Sequence, residues 1–276
     1  MDTEKSNTEL ESRMLSTAME AAQEGGEVLM THLSRVQHYE VEHKDTFDYV
    51  TAVDRASENT IVDIIRSRFP EHMILAEEGG SMGTGSHYQW VIDPLDGTTN
   101  YIHGVRNFAV SIAVMKGDVP VIGVVHDPVR GETFTARKGG GAFLNGSPIS
   151  VSRTDKLEDC LLATGFPFRS KEDIEPYLLS FRRFFDQVRD IRRMGAAAID
   201  LAYVAAGRFD GFWELNLARW DIAAGVLLIA EAGGRISGFH RDENYWETGN
   251  IIATNGAIHN SIGVVLDAIF AEPVQV

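Results

Sequence analysis

The 276-residue sequence predicts a layered protein of the α+β or α/β type, in which helices cover mixed sheets. Between residues 73 and 150, short β-rich runs are separated by turn signals, which indicates consecutive strands. After about residue 150, strand-like and helix-like segments alternate, which is typical of layered architecture. Because no long linker separates these halves, we expect a single domain over residues 1–276, with lobes of about 1–150 and 151–276.

The N-terminal part predicts two helices separated by an extended segment. Apolar residues at helical spacing, among them Leu10, Met14 and Leu29, predict the first helix over residues 9–33. Residues 41–55 are expected to be extended. A second helix over residues 57–69 is ended by Pro70.

Strands dominate the prediction for residues 73–150. The runs at 73–77 and 89–93 are brief strands that end in acidic residues, and residues 79–87 between them read as a flexible polar loop. Residues 107–116 and 119–126 predict a hairpin. Further strands follow, with turns at residues 139–141 and at Asn145-Gly146; because no helix follows the glycines at 139–141, turns are favoured over a nucleotide-binding loop.

The second half predicts a regular alternation of elements. Strands are expected at residues 160–166, 188–192, 210–215, 235–237 and 250–254. Helices are expected at residues 177–185, 196–206 and 221–232, followed by a closing helix.

The charge balance argues against a constitutive nucleic-acid ligand. The chain carries 40 acidic and 25 basic residues, a net charge of −15, whereas binding to a nucleic-acid backbone requires a basic surface. The one dense basic stretch contains five arginines, and the solvated face of a helix and the following strand explains it better than a recognition patch. These arginines are Arg182, Arg183, Arg189, Arg192 and Arg193.

Cysteine content and hydropathy favour a reducing, cytoplasmic location without a membrane anchor. Cys160 is the single cysteine, so it cannot form an internal disulfide, and its apolar neighbours predict a buried strand. The first thirteen residues are polar and acidic, unlike a secretory signal. The longest apolar run, residues 108–115, is too short to cross a bilayer.

Acidic residues at the ends of predicted strands indicate a metal site. Asp93 and Asp96 follow an apolar run, and carboxylates this close repel each other unless a cation lies between them. Glu77 and Glu78 precede them along the chain and Asp221 follows. Oxygen ligands without nearby Cys or paired His favour magnesium, manganese or calcium over zinc or copper. The alternatives are a structural calcium site, or capping roles for Asp221 and Asp96, but caps do not explain such a cluster of charge.

Three motifs in order give the sequence a family resemblance. They are Glu77 after a strand, the run DPLDGTTN at residues 93–100, and WDIAAG at residues 220–225 followed by EAGG. With these motifs the sequence resembles the inositol monophosphatase family of lithium-sensitive, magnesium-dependent sugar phosphatases, and residues 192–214 are similar to its bacterial members. The resemblance implies an α-β-α-β-α sandwich, usually a homodimer, with metals at the junction of two sheets.

The resemblance also implies a set of metal ligands. Glu77, Asp93 and the carbonyl oxygen of Leu95 would hold a first ion, and Asp93, Asp96 and Asp221 a second, so that Asp93 bridges them. Glu77 would support a third, weaker ion through water. The expected cofactor is Mg²⁺, as two or three ions, with Mn²⁺ as a substitute and with Ca²⁺ and Li⁺ as inhibitors.

Catalytic roles follow from the same resemblance. Thr98 is paired with Asp54 to orient and deprotonate an attacking water, and Glu77 is the third catalytic candidate. From the residues alone, Asp54 reads as a helix N-cap. Gly97 and Thr98 lie where a strand turns into a helix, so their N–H groups can face a phosphate.

Substrate contacts are implied for a larger group of residues, although Ala196 stands where some relatives carry a hydroxylated residue, so the alcohol stays open. Without the resemblance, Glu214 reads equally well as a surface charge at a strand end. The implied substrate residues are Asp96, Gly97, Thr98, Gly195, Ala196, Ala197, Glu214 and Asp221.

These observations lead to an expected function with named alternatives. We expect hydrolysis of inositol 1-phosphate, or of a similar small polyol or sugar phosphate, by direct attack of water without a phosphoenzyme. Histidinol phosphate and fructose 1,6-bisphosphate are alternative substrates on the same fold. Different classes of function are a regulatory protein associated with transcription machinery and a calcium-stabilised fold without turnover.

Overall fold

A computed structural model describes residues 2–33, 41–45, 48–168, 170–240 and 244–270. The helices are α1 (Asp2–His32), α2 (Ala52–Arg68), α3 (Thr98–Ile102), α4 (Ile174–Phe185), α5 (Ala197–Ala205), α6 (Arg219–Glu231), α7 (Tyr245–Thr248) and α8 (His259–Phe270). The strands of the first half are β1 (Val41–Asp45), β2 (Asp48–Thr51), β3 (Met73–Ala76), β4 (Gly80–Met82), β5 (Tyr88–Asp96), β6 (Ala109–Lys116), β7 (Val119–Asp127), β8 (Glu132–Arg137), β9 (Gly141–Leu144) and β10 (Ser147–Pro148). The second half contains β11 (Leu161–Thr164), β12 (Asp190–Arg192), β13 (Gly211–Glu214), β14 (Arg235–Ser237) and β15 (Ile251–Thr254).

Two mixed sheets organise these elements. The larger has the order β10-β9-β8-β7-β6-β5-β3-β4, and within it β3 and β5 are parallel. The smaller has the order β12-β11-β13-β15-β14, in which β11 runs parallel to both of its neighbours. Strands β1 and β2 form a separate antiparallel pair.

Helices fill the layers around the two sheets. Helices α1 and α2 pack on one face of the larger sheet, and α5 and α6 lie between the sheets. Helices α4 and α8 cover the outer face of the smaller sheet, where Tyr177, Phe184 and Leu266 join its core. The order of layers is therefore α-β-α-β-α, and the predicted fold class is confirmed.

The long apolar run of β6 is explained by burial on both faces. Val110, Ile112 and Val114 pack towards α1 and α2, whereas Ala113 and Met115 pack towards the central helices. Such a strand loses the polar alternation of a solvated one. In the part of the chain that the structure describes, no helix is long and apolar enough to cross a membrane.

Some predicted boundaries are wrong. Helix α2 begins at Ala52 rather than at residue 57, so Asp54 lies inside its first turn instead of capping it. The polar segment predicted as a loop contains β4, which pairs with β3. The sequence also missed α7, whose N-terminus is capped by the side chain of Asn244, which accepts a hydrogen bond from the Trp246 N–H.

His259 makes the stability of the smaller sheet dependent on pH. It is buried and hydrogen-bonded to Thr254 Oγ1 and Ser237 Oγ, at 3.0 Å each, and burial, with a smaller effect of Arg235, lowers its pKa to about 4. Below the ordinary pKa of about 6.5, the unfolded chain binds a proton that the folded chain does not, so stability falls as the pH drops from 6.5 towards 4. Between pH 7 and pH 5, protonation of this histidine in the unfolded chain should lower the free energy of unfolding by about 2 kcal/mol.

The measurement is urea unfolding at pH 7 and at pH 5 for the wild type and for His259→Gln. We expect the variant to lose less stability between the two pH values. Equal losses in the two proteins would show that another group causes the pH dependence.

Candidate active site

A cavity of about 390 Å³ lies where the larger sheet meets the central helices. Every site residue predicted from the sequence lines it, except Asp54, which contacts the lining residue Thr98 from behind. The predicted residues in the lining are Glu77, Asp93, Leu95, Asp96, Gly97, Thr98, Gly195, Ala196, Ala197, Glu214 and Asp221. Residues separated by well over one hundred positions therefore meet at one place.

An irregularity in β5 brings Asp93 and Asp96 to the same face. Asp93 pairs with Ser111 and Asp96 pairs with Ala109 on β6, so β5 contains one extra residue between the two aspartates. In a regular strand, residues three apart point to opposite faces, and a bulge of one residue reverses this. Both carboxylates consequently face the cavity.

Asp93 is the electrostatic centre of the site. It is 2% exposed, and burial, followed by the charges of Glu77, Asp96 and Asp221, raises its pKa well above the usual range. The Leu95 N–H donates to Asp93 Oδ1 at 2.9 Å and opposes this shift only partly. Such an excess of negative charge is relieved by a bound cation or by a proton.

Two of the carboxylates also receive hydrogen bonds from helix N-termini. Asp96 Oδ2 accepts from the Ala198 N–H, and Asp221 Oδ2 accepts from the Ala218 N–H, each at 2.7 Å. The capping role considered as an alternative for Asp221 is thus present. It does not exclude ligation, because two carboxylate oxygens offer about four acceptor sites.

The donor chemistry of the cavity suits a hard cation, because carboxylate and carbonyl oxygens predominate. Among the described residues, however, no three His, Cys, Asp or Glu side chains are arranged closely enough to hold one ion. Forming a coordination shell would therefore require the carboxylates to move together, which their mutual repulsion opposes unless a cation is present. Their role as metal ligands stays a prediction.

Helix α2 supports both acidic segments from behind. Thr98 Oγ1 lies 3.2 Å from Asp54 Oδ1 and 3.1 Å from the carbonyl oxygen of Leu95. Ser57 Oγ donates to the carbonyl oxygen of Pro94 at 3.1 Å, and Glu58 Oε2 accepts from the Glu78 N–H at 2.8 Å. Positions 54, 57 and 58 share one helix face, so a single face contacts three parts of the site.

Sequence analysis missed the supporting roles of Ser57 and Glu58. Both are buried polar residues on a helix whose other buried residues are apolar apart from Asp54. Their spacing of three and four residues from Asp54 was the available signal. This signal depends on the correct start of α2, because a helix that begins at residue 57 leaves Asp54 outside.

The turn between β5 and α3 packs tightly against residues 194–196. Gly97 has a φ of +96°, and a Cβ there would lie 3.0 Å from the Asn107 carbonyl oxygen and 3.2 Å from that of Gly195. Asn100 Nδ2 donates to the carbonyl oxygens of Asn107 at 2.7 Å and Met194 at 2.9 Å. These contacts fix the wall formed by Gly195 and Ala196.

Glu214 lies at the end of β13 and faces the cavity, where its carboxyl group occupies the space that a side chain at Gly165 would need. It is half-buried rather than a free surface charge. Any residue other than glycine at position 165 would displace the Glu214 carboxyl group from this position.

The opposite wall consists of Arg193 and two aromatic rings that sequence analysis did not select. The Arg193 guanidinium stacks on Phe166 at 5.3 Å and Phe168 at 5.4 Å from the ring centroids. Asn216 Nδ2 holds the adjoining segment by donating to Ser170 Oγ at 2.8 Å. His103 also lines the cavity.

Comparison with known sequences identifies similar proteins over most of the chain. The profile of the inositol monophosphatase family matches residues 10–268. A protein named Nus factor SuhB, from Pseudomonas aeruginosa, is 51% identical over 247 residues, which cover 88% of this chain and 91% of that protein.

Solved structures agree with this match. The crystal structure of extragenic suppressor protein suhB from Bartonella henselae has a TM-score of 0.89 and 40% identity, and the match covers 92% of this chain and 98% of that chain. An inositol monophosphatase from Anabaena has a TM-score of 0.84 and 41% identity, with 96% and 98% covered.

Proposed function

Because the chain belongs to the inositol monophosphatase family, we propose that it is a magnesium-dependent phosphatase of inositol 1-phosphate or a similar small polyol phosphate. The family itself is a family of metal-dependent phosphatases. The observation that carries the proposal is the convergence of four carboxylates from three separate parts of the chain on one cavity. Asp93 and its three neighbours Glu77, Asp96 and Asp221 form this group.

The proposed ligands of the metal are the oxygen donors of the carboxylate group together with the Leu95 carbonyl oxygen. Magnesium ions bound there would lower the pKa of a water molecule and neutralise charge on the phosphate and on the departing oxygen. The protein's part is to fix these oxygens, which the bulge in β5 and the hydrogen bonds to the starts of α5 and α6 support.

Proton transfer from the attacking water is assigned to Thr98 and Asp54. The Thr98 hydroxyl donates a hydrogen bond to the Asp54 carboxylate, so a proton from the attacking water can pass to Thr98 Oγ1 while the hydroxyl proton passes to Asp54. The N–H groups of Gly97 and Thr98 are proposed to face the phosphate at the start of α3. Water attacks directly in this proposal, without a phosphoenzyme.

Substrate hydroxyl groups are proposed to contact the wall around Glu214. Asp96 and Asp221 also lie within reach of this part of the cavity, and Ala197, Gly195 and Ala196 shape it. A monophosphate of a ring polyol fits a cavity of about 390 Å³.

The test is a phosphate-release panel with inositol 1-phosphate, histidinol phosphate and fructose 1,6-bisphosphate in Mg²⁺ and in Mn²⁺. We expect the highest kcat/KM for inositol 1-phosphate and inhibition by Li⁺ and by Ca²⁺. A higher value for either of the other substrates would replace the proposed substrate, and no release from any of them would overturn the proposed activity.

Removal of the Glu214 carboxylate should change substrate preference rather than abolish turnover. We expect Glu214→Ala to lower kcat/KM for inositol 1-phosphate about tenfold, because a substrate hydroxyl loses its acceptor. Gly165→Ala should reproduce this effect, since a Cβ there displaces the same carboxylate. The measurement is the ranking of the three panel substrates, and an unaltered ranking in both variants would remove Glu214 from the substrate contacts.

A homodimer remains part of the proposal. Along one face of α4, Ile174, Leu178 and Phe185 are 37%, 45% and 68% exposed, which is typical of a surface covered by another chain. We propose that a second copy covers it. In light scattering, the molar mass of Phe185→Asp should be that of a monomer, whereas the wild type should be a dimer. Val264→Asp, at a similarly exposed site on α8, is the control and should stay a dimer. A monomeric wild type, or a dimer in both variants, would reject this interface.

A second candidate function is association with transcription machinery, favoured by the name Nus factor that similar proteins carry. Of the arginines that would form a binding patch, Arg189 and Arg192 pair with Asp159 and Asp190. Arg182 and Arg183, in the last turn of α4, are the ones to exchange for serine. Capture of transcription machinery that is lost in this double variant but kept in Asp93→Asn would support a binding role separate from hydrolysis.

A further inference from the structure

Asp200 is a buried carboxyl group in the cavity wall that sequence analysis did not select. It lies in the first turn of α5, is 1% exposed, and lines the cavity. Its Oδ1 is buried without a hydrogen-bond partner among the described residues. An unpaired buried acceptor is unfavourable for folding, so its presence calls for a functional explanation.

Packing does not supply that explanation. The neighbours of Asp200 in α5 are Ile199 and Leu201, which are fully buried and apolar, so an apolar residue would suit the layer between the sheets. Two buried aspartates outside the cavity have hydrogen-bond partners. Asp127 accepts from two backbone N–H groups and from Arg130, and Asp210 accepts from Ser152 and from the Leu161 N–H.

The surroundings of Asp200 favour a neutral carboxyl group. Burial, followed by the charges of Glu214 and Asp96, raises its pKa well above the usual range, and Arg193 opposes this only partly. A protonated carboxyl can donate one hydrogen bond and accept others, as a hydroxyl group can. It therefore complements an alcohol better than it complements an anion.

We propose that Asp200 is a specificity-determining residue that hydrogen-bonds a hydroxyl group of the substrate's polyol portion. This inference rests on the proposed phosphatase function and adds a contact from α5 to the one assigned to Glu214. The ligand chemistry is that of a polyhydroxylated alcohol. Phosphate esters without hydroxyl groups gain nothing from Asp200.

The test compares inositol 1-phosphate with p-nitrophenyl phosphate, which has no hydroxyl groups, in the wild type, Asp200→Leu and Asp200→Asn. For Asp200→Leu we expect kcat/KM with inositol 1-phosphate to fall about tenfold, mainly through KM, and that with p-nitrophenyl phosphate to stay within about twofold. Asp200→Asn, which keeps a donor and an acceptor, should retain most of the preference for inositol 1-phosphate.

If kcat/KM of Asp200→Leu fell equally with both substrates, or fell with neither, the inference would be overturned and the proposed function would stay intact. If the wild type hydrolyses neither substrate, the proposed function fails and the inference fails with it. Thermal unfolding reports whether each variant is folded. Should Asp200→Leu not fold, Asp200→Ser, whose shorter side chain withdraws from the cavity, is measured in its place with the same expected result.

Discussion

Replacement of Asp93 by Asn is expected to lower phosphate release from every substrate by at least about a thousandfold. Burial, followed by the charges of Glu77, Asp96 and Asp221, raises the pKa of Asp93, so this carboxyl group lies among the other three that would hold the metal. An amide in its place keeps the shape but removes the charge shared between the proposed ions. The measurement is kcat/KM with saturating Mg²⁺.

The stability of the same variant separates ligation from folding. With metal removed by a chelator, Asp93→Asn should unfold at the same temperature as the wild type or at a higher one. The substitution removes a buried carboxyl group that is repelled by its acidic neighbours. Glu78→Gln is the matched control: Glu78 adjoins Glu77 but does not line the cavity, and the variant should keep its activity. Undiminished turnover in Asp93→Asn would remove the two-metal assignment.

Removal of the hydrogen bond between Asp54 and Thr98 should produce the second large loss of activity. Thr98→Ala is expected to lower kcat about a hundredfold or more and to leave KM nearly unchanged, since proton transfer from the attacking water loses its relay. Asp54→Asn should have a similar effect, because the 3.2 Å contact between its carboxyl and the Thr98 hydroxyl orients that hydroxyl. Single-substrate kinetics with inositol 1-phosphate provide both constants.

Thr98→Ser provides the rescue, because serine keeps the hydroxyl group and loses only a methyl group. It should retain activity within about tenfold of the wild type. Equal losses in the Ala and Ser variants would show that the methyl group's packing matters and that the hydroxyl does not act as a relay.

The acidic motif could be predicted from the sequence because its information is local. Asp93 and Asp96 lie within four residues of each other at the end of an apolar run, and only a cation or a proton explains such proximity. The location of Glu77 and Asp221 in the same cavity agrees with that reasoning.

The rest of the site depends on contacts between distant segments, which leave no local pattern. Arg193 reads as one of several surface arginines until Phe166 and Phe168 are placed against it. Asp200 reads as an ordinary polar residue in a helix until the sheet, Glu214 and the cavity surround it. Strand β4 was missed because the segment around it, residues 79–87, is rich in glycine and favours a turn, and pairing with β3 overrides that preference.

The extra residue in β5 makes the length of this segment as important as its chemistry. An insertion or deletion of one residue between Asp93 and Asp96 that keeps the bulge would turn one carboxylate towards the apolar layer under α1 and α2. Point substitutions at Leu95 leave the spacing intact, whereas any insertion or deletion there does not. We therefore expect this segment to tolerate exchange of residues better than a change in their number.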